Sequence, residues 1–319
     1  MAVYAFVFPG QGSQGVGMGR DLAAAFAAAR EVFEEVDEAL RQRLSKLMFE
    51  GPAEELTLTE NAQPALLAHS LAVARVLERE GGVRVADRAA VVAGHSLGEY
   101  SALAAAGSFA LGAAATLLKL RGQAMQRAVP AGEGAMAALL GADLEQARTI
   151  CDAAAETPEG GREVIEPAND NGGGQVVISG ARGAVERALG LARERGVKRA
   201  MLLPVSAPFH CALMGPAADA MRDALGANPP DAPAVPLIAN VNAQKVTDPA
   251  EIARLLVEQV TATVRWRESV ETMAALGVDT FVELGAGKVL SGLVRRILPD
   301  ATVLAAATPA EIEQLLKSL

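Results

Sequence analysis

The sequence predicts an α/β protein with a parallel sheet covered by helices on both faces and a smaller α+β unit inserted into the chain. Short apolar strands alternate with helical segments along most of the 319 residues, and such alternation is typical of a parallel sheet. One internal stretch, residues 132–200, instead has several short predicted strands and helices in close succession along the sequence. We therefore assign residues 1–131 and 201–319 to the core and residues 132–200 to the insert.

Composition excludes several classes of function. A net charge of −9 and an aromatic content of 3% argue against a nucleic-acid-binding protein. Cys151 and Cys211 are the only cysteines, so we expect neither a disulfide framework nor a metal site. The N-terminus lacks the basic segment of a signal peptide, and no run of about 18 apolar residues occurs. We expect a soluble, cytoplasmic protein that binds neither nucleic acid nor membrane.

The first strand is predicted at Val3–Phe8, an apolar run that ends in a glycine-rich turn. Gly10, Gly12 and Gly15 in that turn match the G-x-G-x-x-G dinucleotide fingerprint. The fingerprint also requires an acidic residue at the end of a second strand. The acidic residues at that distance lie instead in a helix predicted from 22 to 44, with Asp21 as its N-cap. We therefore reject the nucleotide-binding interpretation.

A second strand, a sharp turn and a helix are predicted within Val91–Tyr100, which contains Gly94-x-Ser96-x-Gly98. Small residues two positions on either side of the serine let strand and helix pack closely around a strained turn. The turn exposes the serine hydroxyl and directs the next backbone N–H toward an incoming carbonyl oxygen. Ser96 is therefore the candidate nucleophile.

Further elements follow in order along the chain. In the core we predict a helix opened by Pro64 and closed by Gly81-Gly82, and another at Leu111–Ala128 that carries Arg121. In the insert we predict two β-α-β halves in a ferredoxin-like arrangement, with strands at 135–140, 175–179 and 199–205, helices at 144–155 and 184–195, and a glycine-rich turn at 171–175. The returning core has strands at 235–241, 280–284 and 302–306, a helix at 288–297, and a last helix that Thr308 caps and that runs through 316.

A serine nucleophile needs a base, and the chain has three histidines. We expect the side chain of His95 to point away from the pocket of its neighbour in the turn, and His69 to lie in a helix remote from any strand end. His210 follows a strand end, where the ligand sites of α/β sheets gather. By elimination we predict that His210 is the general base for Ser96.

The order of candidate residues fits a hydrolase poorly. Alpha/beta-hydrolases place serine, acid and histidine in that order, with the histidine late in the chain. Here two or three strands follow His210, the insert separates it from Ser96, and no acidic residue in a strand-end loop lies between them.

Several motifs stand in one order along the chain: Gly10–Gln14, Gly94–Ser101, Arg121–Gln123, Asn169–Asn171 with Gln175–Gly180, and Pro208–His210. Together they resemble the malonyl-CoA:acyl carrier protein transacylases of fatty-acid synthesis, over nearly the whole chain. The resemblance implies an α/β-hydrolase-like core with a ferredoxin-like insert, which agrees with the fold predicted from the residues.

The resemblance implies transfer of a malonyl group from malonyl-CoA to the phosphopantetheine thiol of acyl carrier protein, through a malonyl-Ser96 intermediate. Backbone N–H groups of Gln11 and Leu97 would bind the oxyanion, and Arg121 would pair with the malonyl carboxylate. No cofactor is implied, because the coenzyme A thioester is the substrate and phosphopantetheine belongs to the carrier.

The resemblance has three further implications. A backbone carbonyl in Val264–Trp266 would orient His210 in place of an acid, although Thr263 stands where a proline is common. Phe209 would crowd a methyl branch and so favour malonyl over methylmalonyl. Two basic pairs at strand ends, Lys198–Arg199 and Arg295–Arg296, would dock the acidic carrier protein near the mouth of the active site.

Two other classes remain open at this point. A serine esterase or thioesterase would share Ser96 and His210 but would not need Arg121. A non-catalytic docking module of a larger synthase would keep the fold and lose the chemistry.

Overall fold

The computed structural model describes residues 2–319. Its strands are β1 (Tyr4–Phe8), β2 (Ala89–Gly94), β3 (Gly134–Leu140), β4 (Ile165–Asp170), β5 (Gln175–Ala181), β6 (Arg199–Leu202), β7 (Leu237–Ile238), β8 (Lys245–Val246), β9 (Thr280–Leu284) and β10 (Thr302–Ala306).

The helices cover both faces of the larger sheet and one face of the smaller one. They are α1 (Arg20–Ala25), α2 (Ala27–Leu40), α3 (Leu44–Glu50), α4 (Ala53–Thr57), α5 (Thr59–Gly81), α6 (Val85–Arg88), α7 (Gly98–Ala105), α8 (Leu111–Ala128), α9 (Leu144–Ala155), α10 (Arg182–Glu194), α11 (Gly215–Ala227), α12 (Pro249–Glu258), α13 (Trp266–Ala275), α14 (Val289–Ile297) and α15 (Pro309–Leu316). Within residues 2–319, no helix is both long and apolar enough to cross a membrane.

The larger sheet has six strands in the order β10-β9-β1-β2-β7-β8, all parallel except β8, which pairs antiparallel with β7. Every residue of the central strand β1 is buried. Phe6 and Phe8 pack into the core on one face, and Ala5 and Val7 pack into a second core on the other face. A strand buried on both faces reads as a continuous apolar run, which is how β1 appears in the sequence. The predicted α/β class with a largely parallel sheet is confirmed.

A separate antiparallel sheet lies within residues 134–202, with the order β4-β5-β3-β6 and the chain order β-α-β-β-α-β. Helices α9 and α10 close its own hydrophobic core. The sequence analysis missed β4. This strand contains Pro167, and its pairing with β5 is irregular between Pro167 and Asn169, so it lacks the alternation of an ordinary strand.

Two helix predictions are wrong. The helix predicted from 22 to 44 is broken at Phe26, whose backbone is extended, and Asp21 lies inside α1 rather than at its N-cap, which is Gly19. Helix α5 begins five residues before Pro64, because the N–H groups of Asn61 and Ala62 already donate to the carbonyl of Leu58.

Two predicted strands, one in the insert and one in the core, are also shorter than expected. The strand predicted at 199–205 ends at Leu202, ahead of Pro204, and the one predicted at 235–241 is reduced to Leu237–Ile238, after Pro236. Proline has no N–H for a ladder hydrogen bond, so each strand stops on the side of its proline. Helix α8 and strands β9 and β10 have the predicted bounds.

Candidate active site

The turn between β2 and α7 places Ser96 at its apex with φ of 55°. Strand and helix approach so closely here that only glycine fits on either side. A side chain at Gly94 would overlap the backbone of Gly98, and one at Gly98 would overlap the carbonyl of Phe8. The positive φ of Ser96 is therefore imposed by backbone packing, and it directs the hydroxyl into the adjoining cavity.

Ser96 Oγ lies 2.8 Å from Nε2 of His210, as a nucleophile and its base require. His210 is buried, and its Nδ1 lies 2.8 Å from the backbone carbonyl oxygen of Gln259. Since a carbonyl only accepts, Nδ1 carries the proton and Nε2 is free to accept one from Ser96. Burial, with the nearby charge of Arg121, lowers the pKa of His210 to about 3, so the imidazole is neutral at physiological pH.

The carbonyl that orients His210 is not in Val264–Trp266, and that prediction is wrong. The carbonyl of Val264 instead accepts from the N–H of Asp170 in the insert, over 2.9 Å, while Thr263 Oγ1 donates to the carbonyl of Pro167 over 2.6 Å. Gln259 directly follows the last residue of α12. The final carbonyls of a helix have no intrahelical donor, which leaves the one at Gln259 available to His210.

Arg121 is fully buried on α8 beside the nucleophile. Its Nη1 donates to Oε1 of Gln63 over 2.7 Å, and its Nη2 donates to Oε1 of Gln259 over 2.8 Å and to Ser96 Oγ over 3.2 Å. Gly122 allows this placement, because a Cβ there would lie 2.5 Å from the Cα of Glu60 at the start of α5. The guanidinium is thus fixed by neutral groups close to the reacting hydroxyl.

Gln11 and Leu97 face the same cavity from two loops. Among residues 2–319, neither backbone N–H donates to another backbone group. The Gln11 side chain accepts from Thr59 Oγ1 over 2.9 Å, and a Cβ at Gly10 would lie 2.7 Å from the carbonyl oxygen of His95. The loop after β1 therefore packs against the turn that carries Ser96. This packing brings the backbone N–H groups of Gln11 and Leu97 near Ser96, where donors to an oxyanion would need to lie.

The cavity has a volume of about 410 Å³ and lies between the core and the insert, in the range typical of small-molecule sites. Polar groups converge at its base around Ser96, His210 and Arg121. Its walls are mainly apolar and include Met125, Met136, Leu203, Val205 and Phe209.

Sequence analysis missed four polar residues that support the site: Asn240, Glu99, Gln259 and Gln63. Asn240 Oδ1 accepts from the N–H of Ser96 over 2.8 Å, and its Nδ2 donates to the carbonyl of Gly94 over 2.7 Å. Asn240 follows the end of β7, and parallel strands end at one edge of the sheet, so its position offered a signal. Gln63 lies on α5, which also buries Thr59, Asn61 and Ser70, so its residue type gave no signal that it holds Arg121.

In the described part of the chain, neither of the other two histidine side chains hydrogen-bonds to the hydroxyl of Ser96. His95 borders the cavity, contrary to expectation, but its Nε2 lies 2.9 Å from Oδ1 of Asn171 in the β4–β5 turn. His69 is buried in α5, and burial lowers its pKa to about 4. It borders a different cavity beside Ala307, just past β10, so it is closer to a strand end than expected.

The four basic residues predicted to dock a carrier lie outside the cavity lining. Arg296 donates to Oε1 of Gln175 over 3.0 Å, and Gln175 and Arg199 both pair with Leu140 of β3. Arg296 therefore lies at the same end of the insert sheet as Lys198 and Arg199. Arg295 reaches the other way, to the carbonyl of Val303 in β10. The structure groups three of the four residues and separates Arg295.

A serine and a neutral histidine in contact, with two backbone amides nearby that have no backbone partner within residues 2–319, define an α/β enzyme that handles acyl groups through a serine nucleophile. Comparison with known proteins identifies the family. Residues 5–311 match the model of the acyl transferase domain, and the chain belongs to this family.

Two curated relatives that match 99% or more of the chain carry the same name. The chain is 48% identical to the malonyl CoA-acyl carrier protein transacylase of Bacillus subtilis (strain 168), covering all of this chain and 98% of the relative. It is 46% identical to the Escherichia coli (strain K12) protein of the same name, over 99% of this chain and all of the relative. The resemblance predicted from the motifs is confirmed.

Solved structures agree in fold. The acyl-carrier-protein-S-malonyltransferase from Bartonella henselae is 56% identical, with a TM-score of 0.94 and coverage of 99% of both chains. A malonyl-transacylase in complex with a type II PKS acyl-carrier protein is 41% identical, with a TM-score of 0.94 and complete coverage of both chains.

Proposed function

We propose that this protein transfers malonyl groups from malonyl-CoA to the phosphopantetheine thiol of acyl carrier protein, through a malonyl-Ser96 intermediate. One observation carries the proposal: Ser96 Oγ lies between a base and a buried cation, 2.8 Å from His210 Nε2 and 3.2 Å from Arg121 Nη2. The base, His210, can take the serine proton during attack on a thioester. The cation, Arg121, can bind an acyl group that ends in a carboxylate.

Acylation begins when Ser96 Oγ attacks the thioester carbon and His210 Nε2 takes the hydroxyl proton. The tetrahedral oxyanion is stabilised by the N–H groups of Gln11 and Leu97. When the carbon–sulfur bond breaks, the coenzyme A sulfur takes the proton from His210. Malonyl-serine and coenzyme A thiol result, and His210 is neutral again.

The second half-reaction runs these steps in reverse with a different thiol. The carrier's phosphopantetheine thiol gives its proton to His210 and attacks the carbonyl carbon of malonyl-serine. Ser96 Oγ then leaves and recovers the proton. Serine, histidine and backbone amides supply every step, so we propose no cofactor; the coenzyme A thioester and the phosphopantetheine thiol are the two substrates.

Arg121 gives the reaction its acyl preference in this proposal. Its planar guanidinium can bind a carboxylate through two hydrogen bonds, and among residues 2–319 its Nε has no hydrogen-bond partner. Phe209 in the cavity wall crowds a methyl branch next to the carboxylate and favours malonyl over methylmalonyl.

The esterase or thioesterase alternative does not account for Arg121. A buried cation is costly, and here Gln63 and Gln259 hold it next to the nucleophile, which an acyl group without a carboxylate does not require. A non-catalytic docking module would not need Ser96 and His210 in contact.

We propose that the malonyl-carrier product supplies extender units for fatty-acid synthesis, with polyketide synthesis as the alternative.

The finer description of the fold is part of the proposal. The strand–serine–helix turn after β2 supports an α/β-hydrolase-like core, and the β-α-β-β-α-β order supports a ferredoxin-like insert. The edge strand β6 of the insert sheet runs to Leu202, two residues beyond the boundary predicted at 200, so we propose residues 132–202 for the insert and 1–131 and 203–319 for the core. A cytoplasmic location stays a prediction.

An assay that follows both products of malonyl-CoA turnover tests the function. With acyl carrier protein bearing phosphopantetheine, we expect malonyl-carrier to form much faster than free malonate. With carrier that lacks phosphopantetheine, turnover should stop after the enzyme is acylated. Rapid release of free malonate with either carrier would support the esterase instead.

A further inference from the structure

Glu99 is a buried carboxylate that forms no ion pair within residues 2–319. It is the second residue of α7 and is 1% exposed. Its Oε1 accepts from the backbone N–H of Asn240 over 3.1 Å, and its Oε2 accepts from Nε2 of Gln259. An ionised carboxylate in such a position needs a nearby positive charge, because burial strongly penalises an isolated anion.

The nearest positive charge is that of Arg121, which lies on the other side of the side-chain amide of Gln259. Gln259 donates to Glu99 through Nε2 and accepts from Arg121 Nη2 through Oε1, over 2.8 Å. Among residues 2–319, neither Glu99 nor Arg121 forms a direct ion pair, and every hydrogen bond of Arg121 goes to a neutral oxygen. Two buried, opposite charges are thus separated by one amide group.

The pKa values of Glu99 and Arg121 reflect the electrostatic interaction between these two groups. Burial raises the pKa of Glu99 to about 7, while the positive charge of Arg121 acts to lower it. Burial likewise lowers the pKa of Arg121, and the charge of Glu99 acts to raise it. Tyr100 on the same helix also faces the pair, and the segments at Asn240 and Gln259 present amides.

We propose that Glu99 is the internal counter-charge of Arg121 and competes with the malonyl carboxylate for it. The inference rests on the proposed function. In the free enzyme the two charges balance. A bound malonyl group adds a second anion beside a single cation, so its carboxylate is held less tightly than an unbalanced arginine would hold it. If Arg121 held the malonyl carboxylate of the acyl-enzyme very tightly, transfer of the malonyl group to the carrier would slow, and the chemical step would gain nothing.

The interposed amide makes this possible. A direct bidentate pair between Glu99 and Arg121 would occupy the guanidinium donors that the substrate carboxylate needs. With Gln259 between them, Glu99 supplies charge without covering those donors, and Nε of Arg121 has no partner among residues 2–319. Glu99 therefore acts on the substrate through Arg121, as a specificity-determining positioning residue.

The substitution Glu99→Gln tests the proposal, because it keeps the size of the side chain and removes its charge. We expect the KM for malonyl-CoA to fall by about tenfold, the order expected for two like charges several ångströms apart in protein. The KM for acetyl-CoA should stay unchanged. Glu283→Gln is the matched control: Glu283 is buried in β9, accepts from the backbone N–H groups of Leu290 and Ser291, and lies outside the cavity.

A rise in the malonyl KM, or equal changes for both acyl groups, would overturn the inference and leave Glu99 as a mere support for Gln259. Absence of malonyl transfer by the wild-type enzyme would instead refute the proposed function.

A measurement on the wild type covers the case in which Glu99→Gln does not fold. The ratio of the malonyl-CoA KM to the acetyl-CoA KM should fall as pH drops from 8 to 6, because protonation of Glu99 removes the competing anion. The coenzyme A phosphates and His210 affect both substrates alike and cancel in the ratio. A ratio that is flat with pH would overturn the proposal.

Discussion

The backbone carbonyl oxygen of Gln259 lies 2.8 Å from Nδ1 of His210, on the side of the ring opposite Ser96. It takes the place of the carboxylate in a serine–histidine–acid triad. A neutral carbonyl fixes the tautomer but stabilises the imidazolium less than a carboxylate would. His210 is therefore held as a neutral base, oriented by geometry rather than by charge.

The low pKa of His210 predicts an unusual pH profile for acylation. A histidine whose pKa is lowered to about 3 loses its basic form only below that value. We expect kcat/KM for acylation by acetyl-CoA to stay nearly constant from pH 8 down to about 5, well past the ordinary histidine pKa near 6.5. Acetyl-CoA is the substrate for this measurement because it lacks the carboxylate that responds to Arg121 and Glu99. A half-loss of kcat/KM near pH 6.5 would contradict the prediction.

Arg121→Ala should impair malonyl transfer far more than acetyl transfer. Leaving one member of a buried ion pair without its partner costs on the order of 3–5 kcal/mol, and only malonyl carries the partner carboxylate. The measurement is kcat/KM with each acyl-CoA.

Lys119→Ala is the control on the same helix. Lys119 forms a partly exposed ion pair with Glu60 over 2.9 Å, and such pairs contribute little. Equal losses with both acyl groups in Arg121→Ala would indicate that Arg121 is structural.

Gly98→Ala should destabilise the fold and reduce acylation together. A Cβ at Gly98 would overlap the backbone of Phe8, which cannot move without shifting β1. Overpacking of this kind costs about 1–3 kcal/mol. Thermal unfolding and the acylation rate check the prediction. Gly190→Ala, in α10 with open space around it, should leave acylation unchanged and raise stability slightly. Wild-type activity in Gly98→Ala would refute the tight turn.

Charge reversal near the insert tests carrier docking. The net charge of −9 should repel an acidic carrier, so docking requires a local basic surface. We expect Lys198→Glu with Arg199→Glu, and separately Arg296→Glu, to slow transfer to the carrier while acylation by malonyl-CoA largely survives. Arg295→Glu is the control, because Arg295 reaches toward β10. Carrier transfer that is unchanged in every variant and insensitive to salt would place docking elsewhere.

Much of this architecture is readable from local sequence. Helix α8 has its predicted bounds because an unbroken helical periodicity runs between clear ends, and the turn at Ser96 follows from two glycines that nothing else could replace. Strand β4 could not be found in the same way, since Pro167 and its polar neighbours hide the pairing with β5.

The supporting network was missed for a different reason. Every residue has a backbone carbonyl, so residue type carries no signal that Gln259 orients His210. Its side chain contacts Glu99 across 160 positions of sequence, and Asn240 contacts Ser96 across 144. Such pairs are set by how the strand ends and helix ends converge, which one sequence read locally does not reveal.

Covalent labelling of Ser96 tests the central claim most directly. After the wild-type protein is mixed with malonyl-CoA, intact-protein mass spectrometry should show a gain of one malonyl group, and peptide mapping should locate it on Ser96. Addition of carrier with a free phosphopantetheine thiol should remove it. Ser96→Ala should show no adduct, and His210→Ala should form it roughly 10²-fold more slowly. An adduct that forms at the normal rate on Ser96→Ala, or malonyl transfer by that variant, would contradict the account.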